Sequence, residues 1–244
     1  GTLTDTEAIL FWEEPQGEAA KKYTIKVNGH KTATTTANSF RLSGLKPNTT
    51  YSISVDGHTG RHKGDVRFTT AKPAATLDVR DYGAKGDGTT INTKAIQRAI
   101  DECPAGGTVM IPAGTYITGA LFIERDSIAI NLMEGATLKA VNNLAHYPLV
   151  TTRYEGWGVN TFASVLNLGK LDNDGRRYRN IRIYGGGTID NQGSVLARQQ
   201  TENLSRMSRS RGLPIINCDN VALDNITVTN PCTWNIHPLL CNGL

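Results

Sequence analysis

Hydrophobic and polar residues alternate in short runs over the first third of the chain. The runs occupy residues 8–12, 22–27, 39–42, 50–55 and 65–69. Asn28-Gly29 lies between apolar runs and is a strong β-hairpin turn signal. Short strands at this spacing, with turn residues between them, predict a β-sandwich over residues 1–73. A linker around Pro73 separates it from the remainder, 74–244.

The second segment repeats a different pattern, in which short strands recur at an almost fixed interval. Asn220 and Asn242 stand in similar contexts, at a spacing in the low twenties. Three short strands in each such interval are what one coil of a β-helix requires. We therefore predict a parallel β-helix, with strands at 108–112, 114–116, 128–132, 163–168, 180–184, 185–190, 221–223 and 226–228.

One stretch has a helical period instead. Asn92 is a plausible N-cap, and Pro104 stops the helix. A single amphipathic helix ahead of many strands suits the role of covering the open end of a β-structure. We predict that this is the one helix, over residues 93–103, with the apolar stripe Ala95, Ile96, Ala99, Ile100 and Cys103.

Composition and charge narrow the possible classes of protein. The chain is 39% hydrophobic and 20% charged, which is ordinary for a folded protein, and no apolar run is long enough to span a membrane. A net charge of +4 is too mild to argue for nucleic acid. Between Arg153 and Arg211, however, ten basic residues stand against five acidic ones. This excess is either a solvated face or an attraction for a polyanion such as an acidic polysaccharide.

The cysteines suggest no metal or redox site. Cys103, Cys218, Cys232 and Cys241 form no CxxC pair. Buried free thiols and disulfides both remain open. No other pattern calls for a cofactor.

The first segment resembles a fibronectin type III domain. Leu45, Pro47 and Tyr51 occur in the order found at the corner of that fold, where the tyrosine hydroxyl bonds back to the backbone. The absence of cysteines fits this fold better than an antibody domain. The segment carries no recognisable chemistry.

The second segment resembles the polygalacturonases of glycoside hydrolase family 28. The residues that carry the resemblance are 81–88, the helix 93–103 and the strand pair at 106–116, all like the cap and first coils of that family. Residues 152–156 and 230–241 are similar to motifs of its exo-acting branch. The resemblance implies a right-handed parallel β-helix behind a fibronectin-type module, as in exported bacterial exo-polygalacturonases. The compartment would be periplasmic or extracellular, and the oligomeric state stays open.

The resemblance also implies a reaction. The family hydrolyses α-1,4 links between galacturonic acids with inversion, so the partner would be polygalacturonate or an oligogalacturonide. The family's Asn-Thr-Asp, Asp-Asp, Gly-His-Gly and Arg-Ile-Lys motifs do not occur in this sequence. We therefore assign no catalytic residue, expect the catalytic aspartates beyond Leu244, and expect residues 1–244 alone to be inactive.

Part of a substrate cleft remains predictable from the resemblance. His237 and Asn235 lie on the last matched coil, and Trp234 is placed either to stack on a sugar or to pack inward. Arg211 either clamps a carboxylate or lies on the surface. Loop residues Arg153 and Glu155 would close one end of the cleft. The predicted substrate-binding residues are thus His237, Asn235, Trp234, Arg211, Arg153 and Glu155.

Two other readings stay open. One is a non-catalytic β-helix, such as an adhesin, a tailspike or a carbohydrate-binding scaffold. The other is a pectate lyase or a uronic-acid epimerase on the same fold. A lyase requires a calcium-binding carboxylate cluster and a basic residue acting at C5, and neither is visible in this sequence.

Overall fold

A computed structural model describes residues 3–13, 22–57, 63–72, 74–172 and 174–244 of the protein. The chain divides into two compact units, Gly1–Ala74 and Ala75–Leu244. Each unit has a hydrophobic core of its own.

The first unit consists of antiparallel strands. β1 pairs with β4, and a second sheet has the order β3-β2-β5-β6. Ile25, Leu42 and Ile53 form part of its core. The Lys46 N–H donates a 2.8 Å hydrogen bond to the Tyr51 hydroxyl, which closes the corner predicted from the sequence. The strands are β1 Ala8–Phe11, β2 Tyr23–Val27, β3 His30–Thr35, β4 Ser39–Leu42, β5 Thr50–Gly57 and β6 Lys63–Thr69.

The second unit is a parallel β-helix, and its described residues form the strands and the two α-helices given next. In chain order they are β7 Thr76–Asp78, β8 Asp87–Ile91, α1 Thr93–Glu102, β9 Thr108–Ile111, β10 Gly114–Thr118, β11 Leu121–Ile123, β12 Ile128–Leu132, β13 Ala136–Ala140, β14 Leu149–Tyr154, β15 Trp157–Phe162, β16 Leu166–Leu168, β17 Tyr178–Tyr184, β18 Thr188–Asp190, α2 Gly193–Asn203, β19 Leu213–Ile216, β20 Cys218–Asp224, β21 Thr227–Thr229 and β22 Ile236–Leu239. Single turns of 3₁₀ helix cover Val79–Tyr82, Leu144–His146 and Arg206–Ser208.

Successive coils contribute one strand each to three parallel sheets. Sheet 1 has the order β20-β17-β12-β9-β7, sheet 2 the order β21-β18-β13-β10-β8, and sheet 3 the order β11-β16-β19-β22. Because the coils are in register, apolar residues stack inward in columns, such as Val109, Ile130, Ile183 and Leu223 of sheet 1. These columns form the core and fix which residues of each strand point outward.

The predicted coil length holds where nothing is inserted. Val109 pairs with Ile130, and Asp219 bridges Asn242, both at spacings in the low twenties. Two coils are longer because they carry insertions between sheet 2 and sheet 3. One insertion contains the antiparallel hairpin β14–β15, and the next contains α2.

Helix α1 begins as predicted and ends one residue early. Ile96, Ala99 and Ile100 are buried against the core of the β-helix. Asn92 occupies the N-cap position, but its side chain makes no cap bond. Its amide instead donates to the Lys85 and Thr90 carbonyls and accepts from the Lys85 N–H at 2.7 Å, which fixes the preceding loop.

The prediction of a single helix was wrong, because α2 is a second one. Its segment begins at Gly193, is polar from Arg198 onward, and has only a weak apolar stripe. What holds it is tertiary structure. Leu196 and Gln200 are buried, and Gln200 exchanges hydrogen bonds with Ser210 at 2.8 and 3.1 Å.

The cysteines are free thiols. Cys103, Cys218 and Cys232 are buried, and Cys241 is half-buried. Burial raises the pKa of Cys218 to about 12, so its thiol stays protonated near neutral pH.

Candidate functional site

The outward-facing residues of sheet 3 form a row that crosses the coils. Strand register places Phe122, Asn167, Pro214 and His237 in this row, one from each successive coil. We call it the outer row of sheet 3. His237, which the sequence singled out, is its last member.

The hairpin β14–β15 covers the first part of the outer row. Its inner side chains, Val150 and Thr152, share a cavity with Phe122 and Pro214. The segment between coils, expected to be a loop, is therefore an ordered pair of strands. Its strands are joined at Glu155 and Gly156, which have φ angles of 49° and 90° and form a tight turn.

Three aromatic rings extend from the hairpin tip to the end of the outer row. Tyr154 stacks on Trp234 with 4.9 Å between ring centroids. Trp234 in turn stacks on His237 at 5.0 Å. Trp234 remains 38% exposed, so one part of it is available to a ligand. The hairpin and the last coil therefore meet through this stack.

Arg211 lies behind the stack. Its guanidinium carbon is 5.1 Å from the Trp234 ring centroid and 5.6 Å from that of Tyr154. Nη2 donates to the Arg153 carbonyl at 3.3 Å, and Nη1 donates to the Arg209 carbonyl. The side chain is thus neither a surface arginine nor an exposed clamp, since the residue is only 2% exposed.

The buried Arg211 has no carboxylate partner among the described residues. Burial lowers its pKa to about 10, so it is still a cation at neutral pH. Its Nε is buried and makes no hydrogen bond within the described part of the chain. Buried charges are ordinarily paired, so this cation leaves an unmet demand for negative charge.

His237 is half-buried beside this cation. Burial, followed by the positive charge of Arg211, lowers the pKa of His237 below its usual value, so the ring is neutral near pH 7. Its Nδ1 is buried without a hydrogen-bond partner in the described residues. The ring therefore has unused hydrogen-bonding capacity.

Asn235 is exposed and fixed by its neighbours. Its amide donates to the Val228 carbonyl at 2.9 Å, and its backbone carbonyl accepts from the Leu213 N–H at 2.7 Å. Gly212 allows this close approach, because a Cβ there would run into the Asn235 carbonyl oxygen. Asn235 thus holds the start of β22 against β19.

Arg153 and Glu155 are placed at the hairpin tip with exposed side chains. The contribution of Arg153 to the stack is its backbone carbonyl, which accepts from Arg211. Glu155 forms the turn. Of the six predicted residues, the structure therefore brings Trp234, His237 and Arg211 together, with Asn235 beside them, and leaves the side chains of Arg153 and Glu155 outside the cluster.

Several of the ten basic residues between 153 and 211 form ion pairs. Arg177 Nε binds Asp219 at 2.8 Å, and Arg182 pairs with Asp224 at 3.1 Å. Lys170 pairs with Glu124 at 2.7 Å. The solvated-face alternative describes these residues better than a polyanion patch does. Arg211 belongs to the same stretch of sequence, but it is buried and has no such pair in the described residues.

A cavity of about 250 Å³ lies beneath the hairpin. Its walls include Phe122, Phe162 and Ile216, together with Thr152 and Arg211. Thr152 is 3% exposed, and its Oγ1 has no hydrogen-bond partner in the described residues. Neither Thr152 nor Tyr154 was predicted as a site residue. The only signal for Tyr154 was its position between Arg153 and Glu155.

No group of three or more metal-ligating His, Cys, Asp or Glu side chains occurs within the described ranges. In the same ranges, no helix has the length and apolar character needed to cross a membrane.

The three-sheet parallel β-helix places the second unit in the class of pectate lyase-like folds. Residues 76–234 match the family described as rhamnogalacturonase A/epimerase, pectate lyase-like, and the chain belongs to that family. Residues 2–70 match the fibronectin type III domain.

Individual proteins with similar sequences or structures are the following. The chain is 41% identical over 159 residues to the exo-poly-alpha-D-galacturonosidase of Dickeya chrysanthemi, covering 63% of this chain and 26% of that protein. The family 28 exopolygalacturonase of Yersinia enterocolitica superposes with a TM-score of 0.87 at 26% identity, covering 99% of this chain and 56% of that one. Plasmin and fibronectin-binding protein A of Streptococcus pneumoniae is 30% identical over 159 residues, covering 62% of this chain and 20% of that protein. The chain thus spans only part of each relative's length.

Proposed function

We propose that the protein is a polygalacturonase that hydrolyses α-1,4-galacturonosyl links with inversion, and that this chain supplies part of its substrate-binding wall. The observation that carries the proposal is the part of the outer row that the hairpin does not cover, which we call its open end. There Trp234 and His237 face outward beside the buried cation Arg211. The likeness to exo-acting galacturonosidases supports the choice of substrate.

The chemistry of this wall suits a uronic acid. The exposed part of the Trp234 ring offers an apolar face to the C–H face of a sugar. Arg211 makes the local potential positive, and this attracts a carboxylate without contact. The half-buried His237 ring lies against Trp234, and its buried Nδ1 has no hydrogen-bond partner in the described residues. Asn235 and Arg153 are also exposed.

The hairpin supports exo-action. It lies over the outer row before the open end is reached, so a sugar chain lying along sheet 3 would stop at the Tyr154 stack. Only a chain end, and not the interior of a polymer, would then fit against Trp234. We also propose that the protein is exported to meet this polymer.

The test measures reducing-sugar release from polygalacturonate, with product analysis, for residues 1–244 and for the complete product of the gene. We expect saturated galacturonate products from the complete gene product, and binding without hydrolysis from residues 1–244. Unsaturated products would overturn the hydrolase in favour of a lyase. Neither binding nor hydrolysis by either protein would overturn the proposal altogether.

A non-catalytic role is the second candidate, and one observation favours it. The streptococcal relative is a plasmin- and fibronectin-binding protein, and the match covers a similar length of this chain. Binding of polygalacturonate or of a host protein without any hydrolysis by the complete gene product would select this role.

A further inference from the structure

We propose that the cavity beneath the hairpin is a separate binding site for a single free uronic acid. This cavity lies on the covered side of Arg211, whereas the Trp234 and His237 surface lies on its open side. The choice of a uronic acid rests on the proposed function, but the preference for an anion rests on Arg211 alone.

Two of the side chains that line the cavity each carry a buried donor without a hydrogen-bond partner in the described part of the chain. Arg211 and Thr152 both line it, and both are more than nine-tenths buried. Arg211 Nε and Thr152 Oγ1 have no hydrogen-bond partner among the described residues. Leaving such groups unpaired costs about 1–3 kcal/mol each, and more for a charged group. A carboxylate bound by both would remove that cost.

Asn167, Glu124 and Lys170, three of the other polar residues that line the cavity, already have partners. Asn167 donates to the Leu121 and Ser164 carbonyls at 2.9 and 2.8 Å and accepts from the Ser164 N–H. Glu124 and Lys170 neutralise each other across a 2.7 Å ion pair. Asp172 is exposed at the rim, where water screens its charge. Among these groups, the buried charge left unpaired is therefore positive.

Size and lining select one sugar rather than a chain. The volume of about 250 Å³ lies below the roughly 300–1,000 Å³ usual for sites of larger ligands. Phe122, Phe162, Pro214 and Ile216 give the remaining wall an apolar character suited to the C–H face of a sugar ring. A monosaccharide with one carboxylate matches these features.

The experiment titrates galacturonate into the 244-residue chain and follows the arginine Nε–H resonances by NMR, with Arg211→Lys used to assign the signal. We expect a downfield shift of the Arg211 Nε–H with saturable one-to-one binding. Thr152→Val should weaken the binding about tenfold, the equivalent of a hydrogen bond to a charged group. Thr227→Val, the same change at an exposed threonine of sheet 2, should leave it unchanged.

Three results would overturn the site. They are an unmoved Arg211 signal at saturation, equal binding of neutral galactose, and loss of all galacturonate binding in His237→Ala while Thr152→Val binds normally. The last would place the sugar on the open surface instead. None of these results depends on polygalacturonate hydrolysis, so the proposed function and this site can fail independently.

Discussion

The covered and open parts of the outer row of sheet 3 use polar groups in opposite ways. Under the hairpin, the side chain of Asn167 forms three hydrogen bonds with backbone groups. At the open end, His237 keeps a buried Nδ1 without a partner in the described residues. Both residues occupy equivalent places in the coil. We therefore expect the covering element to decide whether a row position serves the fold or a ligand.

Arg211 lies at the boundary between the two parts. It holds the hairpin through the Arg153 carbonyl and lies against both Tyr154 and Trp234. Its charge is therefore positioned by the covered part and felt in the open part. The following predictions test this division, beginning with the largest effect.

Gly212→Ala should disrupt the close contact between β19 and β22. The added Cβ would run into the Asn235 carbonyl, which cannot move away without losing its bond to the Leu213 N–H. We expect the free energy of unfolding to fall by about 3 kcal/mol, the upper range for overpacking. Chemical denaturation measures it.

The control is Gly158→Ala, on the exposed hairpin strand, where no atom lies within 4 Å of the added Cβ. It should change stability by less than about 0.5 kcal/mol. Equal effects of the two substitutions would contradict the close contact between β19 and β22.

Trp234→Ala should weaken oligogalacturonide binding about tenfold, because it removes the exposed ring face and releases His237 and Tyr154 from the stack. Calorimetric titration provides the measurement. Trp157→Ala is the matched control, since Trp157 is 76% exposed on the same hairpin tip but outside the stack. A larger loss at Trp157 would move the binding surface to the outer side of the hairpin.

The regular coils were readable from the sequence, because each inward apolar column repeats with a fixed spacing. Val109 and Ile130 illustrate this. The two insertions could not be predicted from the sequence, because they interrupt the regular spacing of the apolar columns. Helix α2 depends on the Gln200–Ser210 bonds, and the hairpin depends on pairing within an apparent loop.

The candidate site was predictable in part for the same reason. The segment 230–241 resembles a motif of the exo-acting polygalacturonases. It contains Trp234, Asn235 and His237, so these three residues were predicted together. Arg211 was named, but its burial between Tyr154 and Trp234 depends on chain segments far apart in sequence. Tyr154 and Thr152 could not be found, because their importance comes from what the hairpin covers.

His237 should make stability depend on pH. Its pKa is lowered in the folded state, so the unfolded chain binds the proton more readily. The contribution of neutral His237 to the free energy of unfolding is therefore complete above about pH 6.5, the pKa of histidine in the unfolded chain. It is lost as the pH falls through the lower pKa of His237 in the folded state. His237→Gln should flatten this part of the unfolding free energy against pH. An unchanged slope would show that His237 is not desolvated beside Arg211.

The smallest effect is expected in the covered part, at Thr152. Thr152→Val removes a buried hydroxyl without a partner in the described residues and keeps the side-chain shape, so the ligand-free chain should gain about 0.5 kcal/mol of stability. Thr118→Val is the matched control. Thr118 is equally buried, but its hydroxyl bonds the Gly119 carbonyl at 3.1 Å, so that variant should lose about 1 kcal/mol.

Thermal or chemical unfolding with and without galacturonate measures both threonine variants. The ligand should stabilise the wild-type chain more than Thr152→Val, and so narrow or reverse the small advantage of the variant. A Thr152→Val chain that is less stable than wild type without ligand would mean that the hydroxyl already has a partner. In that case the covered part would serve the fold alone, and the unpaired cation of Arg211 would be directed only toward the open end of the row.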